Sequence, residues 1–395
     1  VLHPTRFNTA HRYRRPSHDA LGATCLGGAR QAGASPIRPF ARQLLLYLSV
    51  AVLLPAVPRV APAQLPAVTT DWVRESWSIA DGLPVNSVNA LLQSKDGYIW
   101  AATFDGLVRF DGVRFTVFNT ANSPGLPSDR IISILETKDG TLWLNTEQRF
   151  LVHFARGRFT GIDKSRGIDG SVWAIAEDTA GTLWVATEHG VGVIRNNRFE
   201  RVAADAITGD ALSLAASRDG GMWVGTRANG VFKVGTGAVQ RVSRGVAIDT
   251  ADIQTMYEDS EGRLWMSAFS SGLVAVYRLP RPATQGAVER WPSRSIQRFV
   301  EVPSTRVVLG YSTGGVDRFD PGGRLTPLLR QPADFTYAAP LQLHGTDSVW
   351  ATLGRQLWLN ERLVYTLEAT LGTSAGAITD MLLDREGGIW LGTQR

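Results

Sequence analysis

The chain has 395 residues, a formal net charge of +5, a charged fraction of only 19%, 40 Gly and 12 Trp. That length exceeds one small core, and a glycine-rich, weakly charged composition suits many short strands and tight turns rather than a helical bundle. The positive charge is not the footprint of a nucleic-acid surface, because residues 1–63 hold eight Arg against one acid, Asp19, and leave 33 basic against 35 acidic residues in the rest.

The first element in chain order is a leader. Residues 1–41 are rich in Arg, Gly and Pro and lack hydrophobic periodicity, so Arg6, Arg12, Arg14 and Arg15 read as part of a solvated tail. Arg42 is followed by the apolar run 44–54, and Ala61-Pro62-Ala63 places small residues where signal peptidase requires them. The run is short for a bilayer-spanning helix. The leader is therefore expected to be a cleaved export signal, with Gln64 as the mature N-terminus; an uncleaved anchor or a stray apolar segment is the alternative. The long preamble, opening on Val1, is compatible with a misplaced start codon. The one cysteine, Cys25, lies in this leader, so the remainder has no disulfide and no thiol chemistry.

Beyond the leader the chain repeats. Trp100, Trp143, Trp184, Trp223, Trp265, Trp350 and Trp390 recur, with Val308 filling the vacant place between Trp265 and Trp350, at spacings of 39 to 43 residues. The first copy shows four apolar runs, near 88–94, 98–103, 107–110 and 114–118, separated by turn signals. Asp-Gly precedes the Trp at Asp96-Gly97, Asp139-Gly140 and Asp219-Gly220, a two-residue hairpin signal because Gly accepts positive φ. Four antiparallel strands per period of about 41 residues predict a β-propeller blade. A blade cannot bury both faces alone, so the Trp in its second strand is expected between neighbouring blades. Thr103, Thr146, Thr187, Thr226 and Thr393 are expected to end that strand. Gly106, Gly190, Gly230, Gly272 and Gly315 are expected to open the turn after it.

Seven copies, from Trp100 to Trp350, predict an all-β, seven-bladed propeller over 64–367. Residues 368–395 form the start of a further blade or of a second propeller, and one eight-bladed ring is the alternative. A half-blade leaves unpaired strand edges, so the natural protein is expected to continue past Arg395.

The repeat resembles the two-component regulator propeller family. The resemblance rests on Gly82-Leu83-Pro84, Gly125-Leu126-Pro127, the Asp-Gly turns, Leu142-Trp143-Leu144-Asn145-Thr146, Met222-Trp223-Val224-Gly225-Thr226 and Ile389-Trp390-Leu391-Gly392-Thr393, and it covers about 72–395. Departures are the missing Trp of the sixth copy and Leu353-Gly354-Arg355 in the seventh. The resemblance implies an exported sensor on the periplasmic face of the inner membrane, held there by a downstream membrane segment. It further implies a histidine kinase output, with a diguanylate cyclase as the other common one, a homodimeric receptor, and small-molecule or carbohydrate ligands.

No chemistry stands out along the chain. His153, His189 and His344 lie in different repeats and form no metal-ligand spacing, and neither a nucleophile elbow nor a phosphate loop is present. No cofactor is expected. Glu188-His189 is the one local pair that a propeller lyase or glycan-active enzyme could use, and a loop-tip pair is the plainer reading. In strictly up-and-down blades the loop before each innermost strand and the Thr-to-Gly loop share one end. A ligand mouth there would collect Asn86, Asp105, Asp129, Arg130, Trp173, Glu188, His189, Arg227 and Asn229. Aromatic faces with a few directed polar groups suit sugars, while each residue taken alone also fits an ordinary solvated loop.

Overall fold

The protein is seen in a computed structural model that describes residues 10–14, 73–235, 238–242, 246–281, 287–312, 314–330, 341–345, 347–367 and 376–394. The apolar run 44–54, Ala61-Pro62-Ala63, Gln64 and Cys25 lie outside the described residues.

Seven four-stranded antiparallel sheets follow one another in chain order. They span 88–118, 131–162, 172–202, 211–242, 252–292, 296–330 and 342–366, here blades 1 to 7. Blade 1 shows why the sequence folds this way. Strands Val88–Gln93, Ile99–Thr103, Gly106–Phe110 and Phe115–Phe118 correspond to its four apolar runs, and the chain reverses at Asp96-Gly97 with Gly97 at φ 94°. The first strand of each blade lies at one edge of its sheet, and most neighbouring first strands pack on one another, which makes that edge the inner one.

The recurrent indoles sit where neighbouring blades meet. Trp100, buried, packs with Leu142, Leu144 and Val152 of blade 2, and Trp143 packs with Val172, Leu183 and Val185 of blade 3. Trp184 and Trp223 repeat the arrangement against blades 4 and 5. Val308, in the place without a Trp, is fully buried beside Trp265 and Phe319. Burying a large aromatic there removes apolar surface from two blades at once, which is what couples them. In blades 1, 3 and 4 the Thr and Gly of the repeat act as a pair. Thr103 Oγ1 donates to the Gly106 carbonyl at 2.7 Å, Thr187 to Gly190 at 2.9 Å and Thr226 to Gly230 at 2.7 Å. Gly106 adopts φ 120°, and a Cβ there would lie 2.5 Å from the Phe118 carbonyl oxygen, so no larger residue fits.

The C-terminal hairpin, strands Ile378–Leu383 and Ile389–Thr393, belongs to an eighth four-stranded sheet. Its other strands are Ala10–Arg14 and Val73–Trp77, the former paired antiparallel to 389–392. Residues 10–14 are therefore not merely tail, as their sequence reads: the open edge of Ile389–Thr393 accepts them as a strand. The hairpin occupies the position of a further blade. Gln342 of blade 7 accepts from Leu383 N at 2.9 Å, while Arg385 Nη2 donates to the Ser94 carbonyl of blade 1 at 2.7 Å. Trp390 packs with Ile99 and Phe110 of blade 1 and stacks on Trp77 at 5.1 Å.

Two sets of polar bonds also link consecutive blades. A β-bulge follows the first residue of most innermost strands, and the carbonyl beside it is met by a side chain from the preceding blade. Asn89 Nδ2 donates to Ile131 O at 2.8 Å, Asn145 Nδ2 to Val172 O at 3.4 Å and Ser213 Oγ to Ile253 O at 2.7 Å. At the other end of the innermost strands, acceptors cap backbone N–H groups of the preceding blade's first turn. Glu136 takes Lys95 N at 3.0 Å, Glu177 takes Lys138 N at 2.9 Å and Glu301 takes Ser260 N at 2.7 Å.

Candidate functional site: the loop-bearing mouth

The loops before the innermost strands and the loops after the second strands do share one end. Backbone bonds tie them directly: Gly106 N to Asp129 O at 2.8 Å, Glu147 N to Arg130 O at 2.8 Å, Glu188 N to Ser171 O at 3.0 Å and Arg227 N to Asp210 O at 2.9 Å. Val172 N donates to Arg149 O at 3.1 Å and Ala228 N to Ala251 O at 3.1 Å, so these loops also interlock from blade to blade.

The mouth does not use all nine sequence candidates alike. Asn86 is fully buried, and its Oδ1 accepts from Ile79 N at 2.6 Å, pinning the 3-10 turn Ile79–Asp81. Its side chain is closed to the mouth in this structure, with Nδ2 buried and unpartnered. Asp129 caps its own loop by accepting from Thr120 N at 2.6 Å and Thr120 Oγ1 at 3.1 Å. Asp105 is exposed at the tip of the blade 1 loop, and Asn229 is half-buried in that of blade 4.

Arg130 lies 4.3 Å from the Phe104 ring centre and binds Glu147 through two nitrogens. This pairing holds the Glu147 carboxyl below its ordinary range and pushes the Arg130 guanidinium up. Glu188 accepts from Ser171 N at 3.2 Å, and its neighbour His189 is exposed. The two side chains approach the same spot: a Cβ on Gly170 would lie 3.1 Å from Glu188 Oε2 and 3.3 Å from His189 Nε2.

Trp173 is the centre of the best-formed cluster. It is the bulged residue of strand Val172–Glu177, the innermost strand of blade 3. Two guanidiniums lie on its indole, Arg149 of blade 2 at 4.6 Å and Arg227 of blade 4 at 5.5 Å. Arg227 is ion-paired with Asp210 at 3.1 Å. Arg149 was not legible as a candidate from its type alone. The available signal is an alignment of the repeats: between Thr146 and Leu151 stand Glu147-Gln148-Arg149-Phe150, where most other copies carry a Gly. Phe150 in the blade 2 loop and Phe269 near the end of the second strand of blade 5 add exposed aromatic surface. Among the described residues no group of three or more His, Cys, Asp or Glu side chains could hold a metal ion, and no helix is long and apolar enough to cross a membrane.

Similarity to known proteins accords with this architecture. Among curated proteins no match is found. The designed protein Ika8 is 12% identical, with a TM-score of 0.55 over 78% of this chain and 96% of that one. A catalytically inactive virginiamycin B lyase from Staphylococcus aureus with quinupristin is 10% identical, with a TM-score of 0.49 over 78% of this chain and 94% of that one. An extracellular domain from B. thetaiotaomicron, assigned to a one component system, is 15% identical with a TM-score of 0.45 over 80% of this chain. The chain spans about half the length of that domain, 54%. At 12% identity the likeness to Ika8 speaks to fold alone. The family model for the two component regulator propeller matches residues 82–105, 125–148, 167–189 and 372–395. Those segments cover the start of blades 1 to 3 and the C-terminal hairpin, so four of the repeats are similar to the two component regulator propeller repeat.

Proposed function

We propose that this chain is the ligand-sensing, extracytoplasmic region of a signal-transduction receptor, most directly a two-component sensor histidine kinase, with a diguanylate cyclase as the alternative output. The repeat family supports the signalling role, and the export pattern of the leader supports the compartment. The observation that carries the binding role is the cluster of Arg149, Trp173 and Arg227, in which three blades bring an aromatic face and two guanidiniums to one mouth. Such a surface binds planar or ring-shaped polar ligands, a saccharide foremost. A thermal-shift screen of oligosaccharides on the full chain tests it, because a ligand bound only by the folded state raises the melting temperature. A saccharide whose shift vanishes in Trp173→Ala supports the reading, and a panel without any shift speaks against it.

A second reading rests on the convergence of Glu188 and His189 at Gly170. An acid and an imidazole at one point of a propeller mouth could serve a lyase or a glycan-active enzyme. Product formation by the isolated chain, abolished in His189→Ala, would favour it over sensing.

A further inference from the structure

The charge of the mouth is unevenly neutralised, and this bears on the ligand of the binding role just proposed, on which the inference rests. Arg130 binds Glu147, and Arg227 pairs with Asp210 at 3.1 Å. Glu188, the acid of the neighbouring loop, is turned to Ser171 N. Arg149 differs: among the described residues no carboxylate lies within ion-pair distance of it, and its charge rests on the face of Trp173 at 4.6 Å. The indole Nε1 of Trp173 is itself buried and without a hydrogen-bond partner. One sector of the mouth thus holds an unpaired guanidinium on an indole face and a second guanidinium shared with one acid.

The backbone gives a second, independent observation. Arg149 sits at φ 65°, in the left-handed region that side chains with a Cβ avoid. The Gly place of the matching turns, Gly106, Gly190 and Gly315, is taken in blade 2 by Phe150, and Arg149 is the residue before it in a turn one residue longer. In this longer turn Arg149 holds a left-handed conformation that glycine adopts more readily. The turn delivers the Arg149 side chain to the indole of Trp173 at the mouth.

We propose that Arg149, with Trp173 and Arg227, forms a subsite for the acid group of an anionic saccharide, the sugar ring lying on the aromatic surface and its carboxylate or sulfate accepting from the guanidiniums. A guanidinium presents paired donors that match either oxyanion, and a desolvated site strengthens each bond.

The test is calorimetric titration of the full chain and its Arg149→Gly and Arg149→Lys variants. The probes are a trigalacturonate, a sulfated disaccharide and neutral maltotriose. An acidic probe should bind the wild type, the two acidic arms separating carboxylate from sulfate. Arg149→Gly should lower its affinity about tenfold or more, the loss of one charge-assisted bond, and Arg149→Lys should retain part of it. The melting temperature of Arg149→Gly should not fall, since glycine relieves the φ 65° strain. Equal binding of the acidic probe by wild type and Arg149→Gly would overturn the inference. Binding of maltotriose alone would overturn it too, while leaving the sensing role standing. Failure of every saccharide to bind would remove both.

Discussion

The indole N–H of Trp184 donates to the carboxylate of Asp178, six residues earlier, at 2.8 Å. The bond recurs: Trp265 to Asp259 at 2.8 Å, Trp390 to Asp384 at 2.9 Å and Trp100 to Ser94 at 2.9 Å. Asp178 also accepts from Ala180 N and Thr182 N, at 2.9 and 2.8 Å. One side chain therefore closes the first turn of the blade and fixes the rotamer of the indole that packs against the next blade.

Both partners are open to measurement. Trp184→Ala should destabilise the protein by about 3–5 kcal/mol through the cavity it leaves between blades 3 and 4. Asp178→Ala should cost about 1–3 kcal/mol, because three N–H donors lose their acceptor. Denaturant unfolding checks each, and the double variant should cost less than their sum. Losses below about 1 kcal/mol for Trp184→Ala would place that indole outside the inter-blade core.

The hairpin 378–393 makes a pH prediction. Asp380 accepts from Leu91 N of blade 1 at 2.6 Å, yet burial pushes its carboxyl up to about 6 from an ordinary 3.8. A raised folded-state pKa means that the neutral form is the favoured one. Stability from this group is full below about pH 3.8 and is lost as pH rises through about 6. Asp380→Asn keeps an acceptor for Leu91 N, gives up the one that takes Met381 N at 2.8 Å, and carries no charge. Its melting temperature should exceed the wild type's by about 2–5 °C at pH 7.5, and the gap should close towards pH 4. A gap that is constant with pH, or that reverses, would show that Asp380 is not strained by ionisation.

His153 gives the opposite sign. It is buried against Trp143 at 5.0 Å with both ring nitrogens unpartnered, and burial lowers its pKa below 6.5. Its contribution is present above pH 6.5 and is lost as pH falls towards its lowered folded value. His153→Phe should flatten the decline of the unfolding free energy between pH 7 and 5, as read by denaturant melts at each pH. An unchanged slope in the variant would assign that decline to other groups.

Export is tested at the N-terminus. Sequencing protein recovered from the periplasm should begin at Gln64, after Ala61-Pro62-Ala63. Recovery of the intact chain from the cytosol alone would contradict export.

Much of the fold was legible because its determinants are local. The Asp-Gly turns, the second-strand Trp and the Thr–Gly pair are each set within a single copy of about 41 residues where they occur, and even Val308 could be placed by counting from Trp265. What joins the copies was not legible. The caps from Glu136 to Lys95 N and from Asn89 to Ile131 O link residues about one period apart, and nothing in either segment alone names its partner. The same holds for Trp77, which meets Trp390 across most of the chain. At the mouth, alternation of the blades correctly put the two loop sets at one end. It could not tell Asn86, turned inward to its own turn, from Trp173, placed at the mouth by a bulge. A bulge shifts register by one residue, and sequence period does not register it.

The central claim is that ligand binds at the mouth formed by blades 2 to 4. Hydrogen exchange of the full chain, with and without a saccharide that shifts its melting temperature, tests this most directly. The account predicts slowed exchange in the loops 146–151, 170–173 and 226–230, with the first turns at 94–98, 137–141 and 178–182 unchanged. Protection confined to those first turns, or to the outer strands, would contradict it.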